Sequence, residues 1–207
     1  MADFGEESLL LLMLIAYLRP NFRVFLIARW LADTEESDWA SPSKSPYLFV
    51  AAILHDIGAS DLYNGCQRFE VEGADVAKNH LLAHGVPPED CHQVWVAIAL
   101  HTSPGIAERI SPLARLIRLA VKIDFRTTFR DEMNATDYST EIEKCLPRLD
   151  TEKTLANAVV GQAQNIPAIN DSLTWPNLEK HPSSSWPGVL LRAHIENQGY
   201  DGINPAF

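Results

Sequence analysis

Leu48-Phe49-Val50-Ala51-Ala52-Ile53-Leu54-His55-Asp56-Ile57-Gly58 is an apolar run that ends in an imidazole and a carboxylate side by side, closed by a glycine. The run predicts a helix. Leu48, Ala51, Ala52 and His55 share one face at i, i+3, i+4 and i+7 spacing, while Val50, Ile53 and Ile57 line a neighbouring face. A helix apolar on so much of its circumference is buried, which sets His55 and Asp56 at its inner end. Burying a carboxylate beside an imidazole is costly unless the two are paired or hold a metal. Imidazole nitrogen with carboxylate oxygen is also a donor set that divalent metals accept.

The same construction recurs twice downstream. The stripe Val94, Ala97, Ile98 leads to His101, and the stripe Leu113, Leu116, Ile117, Ala120, Val121 leads to Asp124. Three apolar helical faces that each end in a metal-competent group point to one shared site. The remaining chain also reads as helical. Helices are expected at Glu6–Leu18, Asn21–Leu31, Phe69–His84 (closed by Gly85), Pro88–His101, Ile110–Arg126, Thr140–Leu146, Thr151–Gln164 and Gly188–Gln198, with a break at Arg19-Pro20-Asn21. Asp33–Pro46 and the proline- and serine-rich 165–187 read as excursions. With no strand-like alternation, repeat or Gly-rich phosphate loop, the fold class is all-α, a single compact helical bundle. It forms one domain over 1–207, with a core at 19–130 and a C-terminal extension at 131–207.

The order His-Asp, histidine, lone aspartate resembles the HD-domain metalloenzyme superfamily. The cyanamide hydratase-like branch is the nearer likeness, carried by Leu54-His55-Asp56-Ile57-Gly58, Arg68-Phe69-Glu70-Val71-Glu72-Gly73-Ala74, Val94-Trp95 through Ala99-Leu100-His101-Thr102, and Ile123-Asp124. The resemblance implies a divalent metal, zinc or iron, held by His55, Asp56 and Asp124, with His101 facing substrate and all four catalytic. It also implies an early histidine ligand three residues before an arginine. That arginine corresponds to Arg23, so Pro20 stands where the imidazole is expected. The adjacent Asn21 offers an amide oxygen, a poorer zinc ligand than imidazole. Glu70 is expected to support the site. Two states are therefore open: a three-ligand metal site, or a pocket that works without metal.

Bulk properties narrow the partners. At 207 residues the chain is one ordinary domain, and 46% hydrophobic residues suit a globular core. A formal net charge of −10 opposes a nucleic-acid surface or an anionic membrane. The apolar run Ser8–Leu18 is too short to span a bilayer and is preceded by Asp3, Glu6 and Glu7, so it reads as a buried helix or the face of a homo-oligomer. Cys66, Cys91 and Cys145 are scattered and odd in number, as expected of reduced cytoplasmic thiols.

Three functions fit a small-molecule substrate. The first is a metal-dependent hydro-lyase or hydrolase that adds water to a compact, nitrile-like substrate. The second is a metal-free lyase, isomerase or binding protein that uses the same pocket. The third is a phosphohydrolase drawing on Arg115, Arg118, Arg126 and Arg130. His80, His84, His92, His181, Lys122, Trp95 and Phe125 read as surface or core residues without a chemical role.

Overall fold

The computed structural model describes residues 4–63, 65–149, 151–165 and 196–197. Among these the fold is all-α. The helices are α1 (Phe4–Thr34), α2 (Ser45–Leu54), α3 (Phe69–Ala83), α4 (Pro88–Leu100), α5 (Ala107–Ile110), α6 (Pro112–Phe125), α7 (Thr127–Glu132), α8 (Thr136–Cys145) and α9 (Thr151–Asn165). The side chains of residues 4–17, most of the stretch 165–187 and nearly all of the expected final helix lie outside the described residues. No described helix is long and apolar enough to cross a membrane.

Proline, serine and glycine set most of the helix limits. Pro46, Pro88 and Pro112 stand in the first turns of α2, α4 and α6, where the missing N–H costs nothing. Ser111 caps α6 by accepting the Ala114 N–H at 3.1 Å. Gly85 follows α3 with φ +75°, a conformation other residues adopt at a cost. Helix α6 carries the main core stripe, and α1, α2 and α4 pack around it through Val24, Ile27, Leu31, Leu48, Val94 and Ile98.

The expected break at Pro20 is corrected by the structure: α1 runs through it as one helix. An interior proline removes a hydrogen bond and crowds the carbonyl four residues back, at a cost of ~3 kcal/mol. Tertiary anchors just beyond it override that cost. Asn21 donates to Ile53 O at 2.7 Å, and Arg23 clamps Asp124 at 2.9 and 3.0 Å. Val24, Ile27, Ala28 and Leu31 then bury the following turns.

A close backbone approach holds the His-Asp turn in place. After α2 the chain makes a 3-10 turn, Ile57–Ala59, against the start of α3. A Cβ on Gly58 would lie 2.0 Å from Phe69 O and 2.7 Å from Gly73 N, both backbone atoms. Gly73 faces the Leu54 carbonyl on the same seam, where an added Cβ would lie at 3.1 Å. Gly58→Ala must therefore push the turn off α3. The expected loss is at least the ~1–3 kcal/mol of an overpacked core, read from denaturant unfolding. A wild-type midpoint would contradict this packing.

Candidate metal centre

His55 and His101 occupy equivalent places, each at the C-cap of its helix, α2 and α4. Each ring sets its Nδ1 2.7 Å from the carbonyl three residues back, Ala52 O for His55 and Ile98 O for His101. A carbonyl only accepts, so both Nδ1 atoms carry the proton and both Nε2 atoms of the neutral rings are bare acceptors. The two rings meet edge to face with centroids 4.9 Å apart.

Asp56 lies between them. His55 Nε2 is 3.1 Å from Asp56 Oδ2, and His101 Nε2 is 3.4 Å from Asp56 Oδ1. Among the described residues, His55 Nε2 is buried without a hydrogen-bond partner. Two imidazole lone pairs thus face the two oxygens of one carboxylate. Acceptor against acceptor is repulsive unless a proton or a metal cation stands between. The C-terminal ends of α2 and α4 add negative potential at the same point. Among the described residues, His55, Asp56 and His101 form a group whose donor atoms all lie within 4.8 Å of one another.

The electrostatics agree. Burial opposes ionisation of Asp56, yet the two imidazoles hold its carboxyl well below the usual carboxylate range. Burial likewise opposes charging of His55, but the Asp56 carboxylate raises its pKa above the ordinary value. The site therefore favours one anionic and one cationic partner in contact, the condition a divalent ion also meets. The orphaned His55 Nε2, the locked tautomers and a charged carboxylate all fit such an ion.

Asp124, expected as a ligand, is not in this group among the described residues and is paired with arginines. Arg23 grips both of its oxygens, and Arg148 Nη1 reaches Oδ1 at 3.2 Å. Arg130 and Arg148 also donate to its main-chain carbonyl, at 2.9 and 2.8 Å. Glu143 and Glu152 balance the arginines: Glu143 accepts from Arg130 and Arg148, and Glu152 pairs with Arg148. Burial raises the Asp124 pKa, but Arg148 and Arg23 outweigh it and bring the value from 3.8 to about 2. Asp124 still lies close enough to favour a charged His55.

The depressed Asp124 pKa has a measurable consequence. Its stabilisation is complete above the unfolded value near 3.8 and disappears as pH falls through about 2. Metal-free protein is expected to lose about 2 kcal/mol from this group between pH 4 and pH 2. Urea unfolding at stepped pH measures the loss, and a flat profile across that window would contradict the arginine clamp.

The other expected residues fall as follows. Glu70 is fully buried and supports the neighbourhood of His101: the Thr102 hydroxyl donates to it at 2.5 Å and Arg68 at 2.6 Å. Phe69 lies edge-on to His101 at 5.8 Å. Arg118 donates to the His101 carbonyl at 3.1 Å, a role its sequence position did not suggest. Lys122 sits over the Phe129 ring, and Trp95 donates to Asp75. Exposed His80 and His84 lie against each other away from the centre, and His92 stacks on Trp95. His181 lies outside the described residues. An apolar groove formed by Phe49, Ile53, Leu54 and Ile57 with α3 includes none of the three centre residues.

A family model described as HD domain matches residues 21–125, which contain His55, Asp56, His101 and Asp124. Comparison with curated proteins found no match.

Proposed function

Because the chain belongs to the HD-domain family, we propose that it is a metal-dependent, hydrolase-type enzyme whose ion is held by His55, Asp56 and His101. The observation that carries this reading is the pair of bare Nε2 atoms facing both oxygens of one buried carboxylate. A divalent ion bound there supplies Lewis acidity and a lowered pKa for water.

The chain's own groups do the rest. Ala52 O and Ile98 O fix the tautomers and aim the rings. Asp56 remains ionised at neutral pH and, at 9% side-chain exposure, is the most open of the three. Substrate therefore approaches along its edge. The Glu70–Thr102–Arg68 cluster holds the turn after His101 and places a hydroxyl and a guanidinium beside it.

So enclosed a centre favours compact substrates, to which water is added by hydrolysis or across a carbon–nitrogen multiple bond, as in the cyanamide hydratase-like branch. Phosphate esters are less favoured because three of the four arginines proposed for them, Arg115, Arg118 and Arg130, already pair with Glu35, Glu108 and Glu143, which leaves Arg126. The same geometry could be met by a proton in place of a metal, and metal analysis separates the two. Protein purified without chelator is expected to carry about one equivalent of a divalent transition metal. It should melt at a lower temperature after chelation and recover on metal addition. Turnover of compact nitriles but not phosphate monoesters, lost with the metal, would support the substrate reading. Metal-free protein with an unaltered melt would overturn the metal reading.

A further inference from the structure

We infer that Asn21 is a fourth ligand, its amide oxygen completing the donor set of the ion held by His55, Asp56 and His101. The inference rests on the metal reading above. Asn21 is 2% exposed on α1, and its Nδ2 donates to Ile53 O at 2.7 Å. The carbonyl can only accept, so the amide nitrogen must face Ile53 and Oδ1 must face away from it. Among the described residues, that oxygen is buried and has no hydrogen-bond partner. Leaving a buried acceptor bare costs ~1–3 kcal/mol and is uncommon in folded proteins.

His55 Nε2 is orphaned in the same way. The two side chains hang from consecutive carbonyls in the last turn of α2, His55 from Ala52 O and Asn21 from Ile53 O. Acceptors cannot satisfy one another, whereas a shared cation satisfies both. The unbroken course of α1 through Pro20 brings residue 21 against this turn. The resulting set is two imidazole nitrogens, one carboxylate and one neutral amide oxygen. Such a mixed nitrogen and oxygen set suits borderline divalent ions such as Fe²⁺, Co²⁺ or Zn²⁺ over thiophilic ones.

The test titrates Co²⁺ and Zn²⁺ into the metal-free full chain and compares wild type, Asn21→Ala, Asn21→Asp, His55→Ala and the double variant Asn21→Ala/His55→Ala. Circular dichroism melts without metal establish that each variant folds. Asn21→Ala is expected to weaken binding by about 10–100-fold and to alter the visible spectrum of bound Co²⁺. In the His55→Ala background it should add no further loss. Asn21→Asp should tighten binding, and it carries the test if Asn21→Ala does not fold. Affinity and spectrum unchanged in Asn21→Ala, or no tightening in Asn21→Asp, would remove Asn21 from the shell and leave the three-residue centre standing. A wild-type chain that binds neither ion would overturn both readings.

Discussion

Asp124→Ala is expected to cost about 3–5 kcal/mol of folding stability, the penalty for removing one partner from a buried ion pair. Asp124 is fully buried, and so is Arg23, which makes both of its strong hydrogen bonds to that carboxylate. Without Asp124, Arg23 retains two contacts of 3.4 Å to the Leu146 and Pro147 carbonyls. Arg148 loses one of its three carboxylate partners. Among these residues three arginines face Asp124, Glu143 and Glu152, so deleting Asp124 leaves a net buried positive charge. The exposed pair Arg29–Asp33 sets the contrast. At 38% and 53% side-chain exposure it is worth about 0–1 kcal/mol, and Asp33→Ala should barely move the midpoint. The joint replacement Arg23→Met/Asp124→Leu should cost less than Asp124→Ala alone, because it removes both charges together. Denaturant midpoints of the three variants and the wild type check this. An Asp124→Ala loss within about 1 kcal/mol of zero would refute the clamp.

His55→Ala and His101→Ala are each expected to abolish tight metal binding. Each loss should exceed the roughly 10–100-fold that changes behind the ligands cause. The two effects should be similar, because the rings hold equivalent positions on Asp56 at 3.1 and 3.4 Å. Asp124→Asn, by contrast, should act mainly on stability and only weakly on metal affinity. Competition titrations with a chromogenic chelator rank the three variants. If Asp124→Asn weakened binding as much as His55→Ala, Asp124 would belong in the metal shell and the arginine contacts would be secondary.

The sequence carried the convergence of His55, Asp56 and His101 because His55, with Asp56 beside it, and His101 each close an apolar helical face, and such faces must meet in one core. Helix limits were legible wherever Pro, Ser or Gly acts locally, as at Ser111-Pro112 and Gly85. Two things were not legible. The break at Pro20 follows from a local rule, whereas the helix persists through contacts with Ile53 and Asp124, 32 and 101 residues away from the residues that reach them. The fate of Asp124 was hidden for a related reason. A carboxylate at the end of an apolar stripe requires a cation, but the stripe does not say whether that cation is a metal or an arginine. Arg23 and Arg148 both pair with Asp124 in the structure, and the local sequence of Arg148, in the extension, carries no motif. The described part of the extension, 131–149 and 151–165, thus joins the bundle: Ala135, Ile142, Leu155 and Val159 enter the core beside the Arg148–Glu152 pair.

X-ray absorption at the metal edge of the Co²⁺- or Zn²⁺-loaded chain tests the central claim most directly, because imidazole rings give a distinct multiple-scattering signature that can be counted. The arrangement of His55, Asp56 and His101 predicts two imidazoles, the remaining ligands being oxygen, and one fewer in either His55→Ala or His101→Ala. A single imidazole in the wild-type chain, unaffected by His101→Ala, would place the ion on His55, Asp56 and Asp124 and contradict the account.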